Sequence, residues 1–253
     1  MTQQLDDWDR HWDDYAESAA RNPAQAYRRR LILGLLASDA GRPMRILDVG
    51  SGTGDLAADI HSAFPSAAVL GLDVSEGAVE YAARKVPTAT FLQRDLVRDA
   101  DADPEHQAWA THAVCSEVLE HVEDPDVLLT NTRPYLAPGC RLIVTVPGGP
   151  MSAFDRHIGH RQHFTPQSLR TVVEKAGFEV ERADAAGFPF FNLYRLTVLL
   201  RGKRLVDDVA HGAGSPAARV VMRIFDPLFR LNVPSSPWGW QVLAAARFPG
   251  PIS

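Results

Sequence analysis

Two parts of the sequence carry residues whose types and spacing suit chemistry, and the first is a glycine-rich turn. Gly50, Gly52 and Gly54 alternate with other residues directly after an apolar run that contains Asp48. Glycine tolerates a positive φ and lets a ligand approach the backbone with no Cβ in the way. A helix predicted to begin at Asp55 would offer unpaired N–H groups and a partial positive charge to an anion. The stretch therefore predicts a strand, a tight turn and a helix that together hold a nucleoside-bearing cofactor.

The second part carries acids and histidines. They follow a predicted strand and then fill a later loop: Glu117, Glu120 and His121, followed by His157, His160 and His163. Histidine changes its protonation near neutral pH, so His121 is able to deprotonate a hydroxyl or an amine, or to position it. A histidine held only by structural hydrogen bonds is the alternative, and the sequence leaves both open.

The elements that must position these residues alternate along the chain. Short apolar runs predict strands at Arg45–Val49, Ala67–Leu72, Ala89–Leu92, His112–Cys115, Arg141–Val146, Phe178–Ala183 and Gln241–Arg247. Stretches with 3.6-residue spacing predict helices at Asp55–Phe64, Glu76–Lys85, Asp126–Leu136, Pro166–Ala176 and Phe191–Leu200, and a bent one over Ala217–Leu231. A turn is predicted at Ala137–Gly139. The alternation predicts a parallel sheet covered by helices on both faces, with its ligand beyond the carboxyl ends of the strands.

The overall composition restricts the class of protein. The chain has 253 residues, enough for one large domain or a domain with an insertion, and its net charge of −5 argues against a general nucleic-acid binder. No segment approaches the ~20 apolar residues of a membrane span, and the acidic N-terminus lacks the apolar core of a signal peptide. Cys115 and Cys140 lie in apolar, strand-like surroundings and are predicted to be packed thiols. We therefore expect a cytoplasmic protein.

The glycine spacing distinguishes between cofactors. A dinucleotide fingerprint reads G-x-G-x-x-G, whereas here Gly54 comes only four residues after Gly50. With Asp48 two residues ahead of the glycines, the pattern resembles motif I of the class I S-adenosylmethionine (SAM) dependent methyltransferases. Asp73 ends the second predicted strand, 19 residues after Gly54, where a carboxylate would accept hydrogen bonds from the ribose hydroxyls. Capping of the next helix is the alternative role for this acid.

The third and fourth predicted strands extend the resemblance. After the third, the family binds adenine with an acid and aliphatic walls, roles that fall here on Asp95, Leu96 and Val74. A loop-forming Asx turn is the alternative for Asp95. After the fourth, the run from Glu117 to Pro125 resembles the E-V-L-E-H-V-x-D-P motif of many small-molecule methyltransferases, including ubiquinone-type O-methyltransferases.

The resemblance covers roughly residues 44–184 and implies a role for each matched residue. The implied cofactor-binding residues are Asp48, Gly50, Ser51, Gly52, Gly54, Asp73, Val74, Asp95, Leu96, Ser116 and Glu117. The implied catalytic residues are His121 and His160, and the substrate-side residues are Trp12, Tyr15, His157 and His163. The resemblance also implies a Rossmann-like, seven-stranded, mostly parallel sheet whose last strand is antiparallel.

The same resemblance suggests how the chain divides. Residues 1–44 are predicted to form an N-terminal helical lid, with packing against the core as the alternative, and residues 45–187 the SAM-binding core. Residues 188–240 are predicted to be a helical insertion on the substrate side, and residues 241–253 the last strand and tail. Basic side chains of the insertion, such as Arg195, are expected on a solvated helix face; a lipid surface or an anionic substrate is the alternative.

A metal ion is left open at this point. Glu117, Glu120 and His121, with His160 or His163, offer oxygen and imidazole ligands that suit a divalent ion. Small-RNA 3′-terminal methyltransferases carry a similar Glu-x-x-Glu-His followed by a distant histidine, and there it binds a divalent ion. Most histidine loops of this type bind no metal, and the acidic chain argues against an RNA substrate.

Together these features predict a SAM-dependent methyltransferase that acts on an oxygen or nitrogen of a small-molecule acceptor. An RNA or lipid methyltransferase would need a basic face or an exposed apolar insertion. A non-methylating enzyme, such as a cyclase, would use the same pocket. The glycine spacing argues against a nicotinamide-dependent oxidoreductase. The acceptor, the oligomeric state and a weak association with a membrane surface stay open.

Overall fold

A computed structural model describes residues 22–39, 41–201, 225 and 227–250 of the chain. Within these ranges, strands and helices alternate. The strands are β1 (Arg45–Val49), β2 (Ala68–Asp73), β3 (Thr90–Gln93), β4 (Ala110–Ser116), β5 (Leu136–Pro147), β6 (Glu179–Ala186) and β7 (Gln241–Arg247). The helices are α1 (Pro23–Leu36), α2 (Asp55–Ala63), α3 (Glu76–Lys85), α4 (Pro125–Thr132), α5 (Ala153–His157), α6 (Pro166–Lys175) and α7 (Phe190–Arg201).

The seven strands form one sheet in the order β3-β2-β1-β4-β5-β7-β6. β1 pairs in parallel with both β2 and β4, so the strand order reverses between β1 and β4. β7 runs antiparallel to β5 and to β6, while the other six strands are parallel to one another. This is the predicted Rossmann-like sheet with an antiparallel last strand. Ligands of such sheets bind at the carboxyl edge where the order reverses, which places the expected site at the ends of β1, β2 and β4.

Local sequence signals fix where several helices begin. Ser75 caps α3, because its hydroxyl accepts the Ala78 N–H at 3.0 Å. Thr165 caps α6, with Pro166 in the first turn, as the sequence predicts. Gly177 has a φ of +85° and follows the end of that helix, where a left-handed residue is favoured.

The structure differs from the sequence prediction just before β5. The helix predicted over Asp126–Leu136 ends four residues early and continues only as a 3-10 turn, because Pro134 supplies no backbone donor. The predicted turn at Ala137–Gly139 is part of β5 instead. Here the Gly139 N–H donates to the carbonyl of Phe248 at 2.8 Å. That partner lies beyond β7, so the local sequence carries no signal of this pairing.

Apolar side chains on the two faces of the sheet form two layers of the core. Leu47 of β1 packs in the layer that contains α4 and α6, whereas Ile46 of the same strand packs against α1, α2 and α3. The alternation follows from the two-residue period of a strand. Cys115 and Cys140 are buried free thiols in the first layer, as predicted.

Some predicted features fall outside the described residues. Trp12 and Tyr15 lie in residues 1–21, and most of the predicted helix over Ala217–Leu231 lies in residues 202–224. The division of the chain into lid, core and insertion therefore stays a prediction. Among the helices that the structure describes, none combines the length and the apolar character needed to cross a membrane.

Candidate functional site

The glycine turn lies at the carboxyl ends of β1 and β2, where Asp73 holds it. The Gly52 N–H donates to Asp73 Oδ2 at 2.7 Å, and the Ser75 N–H donates to Oδ1 of the same carboxylate at 3.0 Å. The Gly50 N–H donates to the carbonyl of Leu72 at 2.8 Å. The end of β2 therefore fixes the shape of the turn that follows β1.

Two glycines of the turn are required by the backbone and by the atoms around it. Gly50 and Gly54 have φ angles of +69° and +74°, which side chains disfavour. A Cβ on Gly50 would lie 2.3 Å from Val118 Cγ2, and one on Gly54 would lie 3.0 Å from the Cβ of Ala82. Gly54 also directly precedes α2 and has no side chain to cap it. The first N–H groups of that helix are thus not covered by a capping side chain.

Two polar atoms beside the turn are buried without a hydrogen-bond partner, Asp48 Oδ2 and Ser51 Oγ. Asp48 is only 2 % exposed, and burial, helped by the charge of Asp73, raises its pKa to about 7. An orphaned buried oxygen costs free energy unless a ligand or water supplies the missing partner. These two atoms therefore fit a cofactor that brings polar groups to this edge of the sheet.

The predicted adenine-side residues lie in the turns after β2 and β3. Asp95 Oδ1 accepts the Val97 N–H at 3.1 Å, which is the Asx turn considered as its alternative role. The Leu96 side chain is buried, whereas Val74 is 38 % exposed. The Asx turn occupies one oxygen of the carboxylate, and the adenine role of Asp95 stays a prediction.

At the end of β4, Glu117 is held by two residues that are distant in the sequence. It has a left-handed backbone, with a φ of +58°, although it is not a glycine. Its Oε1 accepts from Gln241 Nε2 at 2.9 Å, and its Oε2 lies 3.0 Å from a terminal nitrogen of Arg28. Arg28 Nε in turn donates to Gln241 Oε1 at 2.8 Å. The three side chains form a closed, largely buried ring that joins α1, β4 and β7.

The predicted histidines come together in a chain of contacts. His160 Nδ1 lies 3.2 Å from His163 Nε2, and His163 Nδ1 lies 3.0 Å from the carbonyl of Gly149. The ring of His121 meets that of His160 edge to face, with centroids 4.7 Å apart. Burial lowers the pKa of His163, and burial together with His121 lowers that of His160 to about 2. Both rings are therefore neutral at pH 7.

This chain determines the tautomers of two rings. A carbonyl only accepts, so His163 Nδ1 carries its hydrogen and donates to Gly149. His163 Nε2 then accepts from His160 Nδ1, which leaves a lone pair on His160 Nε2. The lone pair lies on the side of Glu120, whose Oε1 is 4.0 Å from that nitrogen.

Glu120 is the most deeply buried acid of this group. Its residue is 0 % exposed, and neither carboxylate oxygen has a hydrogen-bond partner. Burial, followed by the charge of Glu117, raises the pKa of Glu120 well above its usual range, which favours the protonated acid. A protonated Glu120 beside the bare Nε2 of His160 forms a pair that is able to hold one proton between its two members.

The histidine loop is tied to the helix that follows β6. Asp155 accepts two hydrogen bonds from the guanidinium of Arg195, both at 2.9 Å, and also the Ser152 N–H at 2.7 Å. The pKa of Asp155 is well below its usual range; its burial opposes this shift, and the bonds from Arg195 outweigh that effect. The expectation of a solvated face is wrong for Arg195, which is 8 % exposed, because its charge is neutralised inside the protein.

Not every candidate joins these groups. His157 is exposed at the end of α5, and Ser116 Oγ pairs with Thr145 Oγ1 at 2.8 Å. No motif in the sequence marks the residues that hold the site through side-chain bonds: Arg28, Gln241 and Asp155. Arg195 was expected in solvent and is buried. Arg28 stands between Tyr27 and two further arginines, so nothing in the local pattern distinguishes it.

Among the residues with described positions, two groups of side chains are compact enough to hold a metal ion. The ligand atoms of Glu120, His121 and His160 lie within 4.8 Å of one another, as do those of Asp155, His160 and His163. The first group overlaps the predicted set, but Glu117 is already engaged by Arg28 and Gln241.

Comparison with known proteins agrees with the cofactor that the turn predicts. Residues 17–183 match a family described as a methyltransferase domain. The chain is 33 % identical over 105 residues to the trans-aconitate 2-methyltransferase of Methylobacterium nodulans, which is 42 % of this chain and 39 % of that protein. It is 27 % identical over 140 residues to the malonyl-[acyl-carrier protein] O-methyltransferase of Halalkalibacterium halodurans, which is 54 % of this chain and 50 % of that one.

An uncharacterized 37.1 kDa protein in transposon TN4556 of Streptomyces fradiae is 28 % identical over 198 residues. That match covers 76 % of this chain and 56 % of the Streptomyces protein, so the chain spans about half the length of these relatives.

Solved structures share the fold. The [4+2]-cyclase SpnF superposes with a TM-score of 0.60 at 20 % identity, over 90 % of this chain and 82 % of that one. Phosphoethanolamine N-methyltransferase 2 of Haemonchus contortus, in complex with SAM, superposes with a TM-score of 0.57 at 19 % identity. The match covers 86 % of this chain and 52 % of that one. The sheet order, the glycine turn and the match over most of the chain lead to one conclusion: this chain belongs to the methyltransferase-domain family.

Proposed function

We propose that this chain is a SAM-dependent methyltransferase that acts on an oxygen or nitrogen of a small-molecule acceptor without negative charge, with His121 as the base. SAM, when bound, supplies an electrophilic methyl group on its sulfonium. The observation that carries the proposal is the histidine chain beside the carboxyl edge of β4, in which the ring of His121 meets the neutral ring of His160 edge to face.

The cofactor is proposed to be held by the turn and by the strand ends around it. Asp73 would accept the ribose hydroxyls, Asp95 and Leu96 would contact the adenine, and the acids near β1 and β4 would face the cationic end of SAM. The support is the placement of these residues along one edge of the sheet and the two orphaned oxygens of Asp48 and Ser51. The remaining members of the proposed set are Gly50, Gly52, Gly54, Val74, Ser116 and Glu117.

His121 is proposed to take the proton from the acceptor hydroxyl or amine, or to orient it by a hydrogen bond. His160 is the second candidate, because its Nε2 lone pair is able to accept a proton while its Nδ1 stays bonded to His163. The Glu120 carboxyl beside that nitrogen would exchange a proton with it. Positioning and water exclusion should supply most of the rate, since the methyl group is already activated.

The charge of the site argues against a carboxylate acceptor. Among the described residues, the arginine and lysine side chains that are buried are Arg28 and Arg195, and each already pairs with an acid, Glu117 or Asp155. Glu120 adds a third acid with no arginine of its own. Within the described part of the chain, a carboxylate would therefore meet no unpaired buried cation. The two named relatives carry acid substrates in their names, so we propose that this chain differs from them in its acceptor.

A divalent metal ion is a second candidate for the same place. The orphaned oxygens of Glu120, together with the compact arrangement of His121 and His160, favour it. A titration of the full chain with Mn²⁺, followed by electron paramagnetic resonance, decides this point. Stoichiometric binding that Glu120→Gln abolishes would support the metal, and the absence of binding would leave the proton-sharing pair.

The test of the proposed function uses the full chain and tritiated methyl-SAM. We expect calorimetric binding of SAM and S-adenosylhomocysteine (SAH), no binding of NADH, and label transfer to phenols or amines. Transfer to carboxylic acids, to tRNA or to phospholipid vesicles would overturn the acceptor assignment. SAM binding with no transfer to any of these classes would indicate a non-methylating reaction in the same pocket.

A further inference from the structure

An open cleft of ≈ 450 Å³ lies beside the histidine chain, at the carboxyl edge of β5 and β6. Its walls include Phe164, Pro237, Trp238 and Trp240, and none of the lining residues that the structure describes is charged. Clefts of this size are typical of small-molecule sites. The cleft is on the same edge of the sheet as the glycine turn, beyond β4.

The cleft and the histidine chain share a wall. A Cβ on Gly149 would lie 2.7 Å from the ring of Trp240, so that indole lies directly against the glycine backbone. The carbonyl of the same glycine accepts from His163 Nδ1 at 3.0 Å. Phe164, which lines the cleft, follows His163 in the sequence. Gly149 therefore separates a molecule in the cleft from the histidine chain that leads through His163 to His160 and His121.

The polar side chains of Asn192 and Thr165 in the lining are already engaged. Asn192 Nδ2 donates to the Trp238 carbonyl at 2.6 Å, and its Oδ1 accepts the Trp240 N–H at 3.0 Å. Thr165 Oγ1 accepts the Ser168 N–H at 3.1 Å as a helix cap. A sugar-like ligand would bring many hydroxyl groups that could not form hydrogen bonds with these side chains. Burying unpaired hydroxyl groups costs free energy. The lining therefore favours an apolar ring.

Trp238 is presented on a rigid segment. A Cβ on Gly239 would lie 2.2 Å from the Ala186 carbonyl oxygen, so the segment is pressed against the end of β6. The Ser236 N–H donates to Ala185 at 2.8 Å, on the same strand. Trp238 stays 68 % exposed, with Phe188 at one edge at a centroid distance of 5.5 Å. A large ring held open on a fixed wall is suited to stacking with a flat ligand.

We propose that this cleft binds a flat aromatic ring of the methyl acceptor, and that the acceptor is accordingly a phenol or an aromatic amine. The proposal rests on the proposed function, because it extends the acceptor from the histidine chain across Gly149 to the Trp238 wall. Asn192 is then a positioning residue, since it fixes the backbone on both sides of Gly239, directly after the exposed indole.

The test measures binding of 2-naphthol and of methyl β-glucopyranoside to the full chain with SAH present, by saturation-transfer NMR titration. We expect 2-naphthol to bind and the glucoside not to bind. Trp238→Ala should weaken 2-naphthol about tenfold, because the stacking face is lost. The matched control is Leu231→Ala, since Leu231 is 66 % exposed and outside the cleft lining; it should leave the affinity unchanged.

Two results would overturn the proposal: no binding of 2-naphthol to the wild type, or equal affinity in the wild type and in Trp238→Ala. Binding of SAH, measured separately by calorimetry, should be the same in all three proteins. If the wild type does not bind SAH, the proposed function itself is rejected. If it binds SAH but not 2-naphthol, only the proposal that the cleft binds an aromatic ring is rejected.

Discussion

The two halves of the site are held together in different ways. In the cofactor half, defined as residues 48–54 with Asp73, the turn is fixed by a bond from Gly52 to a carboxylate 21 residues away on the neighbouring strand. In the acceptor half, defined as Glu117, Glu120, His121, His160 and His163, the partners are distant. Arg28 and Gln241 hold Glu117 from 89 and 124 residues away.

The difference shows how one chain can combine a shared cofactor with its own acceptor. The cofactor half depends on the glycine geometry of the turn and on the end of β2, which carries Asp73. The acceptor half depends on ion pairs from α1 and α7, which lie outside the central strands. A change in those outer helices is therefore able to reshape the acceptor side without disturbing the turn that we propose as the SAM site.

The largest expected effect concerns the ring that joins α1 to the acceptor half. Arg28→Ala leaves the Glu117 carboxylate without its cation, and loss of one partner of a buried pair costs about 3 kcal/mol. Arg29→Ala is the matched control, because its partner Asp59 is 43 % exposed and such pairs contribute less than about 1 kcal/mol. Urea unfolding gives both free energies. Equal losses in the two variants would mean that the ring does not hold the acceptor half.

The next effect separates chemistry from cofactor binding. His121→Ala should slow methyl transfer about 100-fold through loss of the base, and should change the SAH dissociation constant by less than about threefold. Turnover is measured with the acceptor found in the label-transfer screen. His61→Ala is the control, since that ring lies exposed on α2. Full turnover in His121→Ala would remove the base assignment.

The smallest effect concerns a titrating acid in the cofactor half. The pKa of Asp48 is raised to about 7 by burial and by Asp73, above its value in an unfolded chain. Between these two values the folded state binds the additional proton, so stability is lost as the pH rises toward 7. Asp48→Asn cannot ionise and should escape this loss.

The free energy of unfolding of Asp48→Asn, minus that of the wild type, should therefore increase by on the order of 2 kcal/mol from pH 5 to pH 8. Urea unfolding at both pH values measures the difference. Within the acceptor half, Glu117 provides the contrast, because its carboxylate is paired with Arg28. A constant difference would show that Asp48 is ionised in the folded protein across this range.

The sequence was sufficient for most of the fold, including the glycine turn after β1. β1, α3 and β7 have the predicted bounds, because their apolar periods and caps are local signals. The start of β5 was predicted wrongly, since its pairing depends on residues that follow β7.

The arrangement of the acceptor half could be predicted from the sequence only in part. The motif indicated His121 and the histidine loop, yet it gave no sign of the Arg28 and Arg195 pairs. Such pairs depend on which faces of the helices pack together. The sequence of three arginines after Tyr27 does not indicate which of them is buried. The tautomers of His160 and His163 likewise follow from the carbonyl of Gly149, which no sequence motif specifies.

The most direct test of the account compares SAH binding by Asp73→Ala and His121→Ala in one calorimetric series. We expect Asp73→Ala to weaken the affinity for SAH at least about 100-fold. The carboxylate fixes Gly52 and is also proposed to accept the ribose hydroxyls. His121→Ala should bind SAH within about threefold of the wild type. Wild-type affinity in Asp73→Ala, or an equal loss in both variants, would contradict the separation of the site into a cofactor half and an acceptor half.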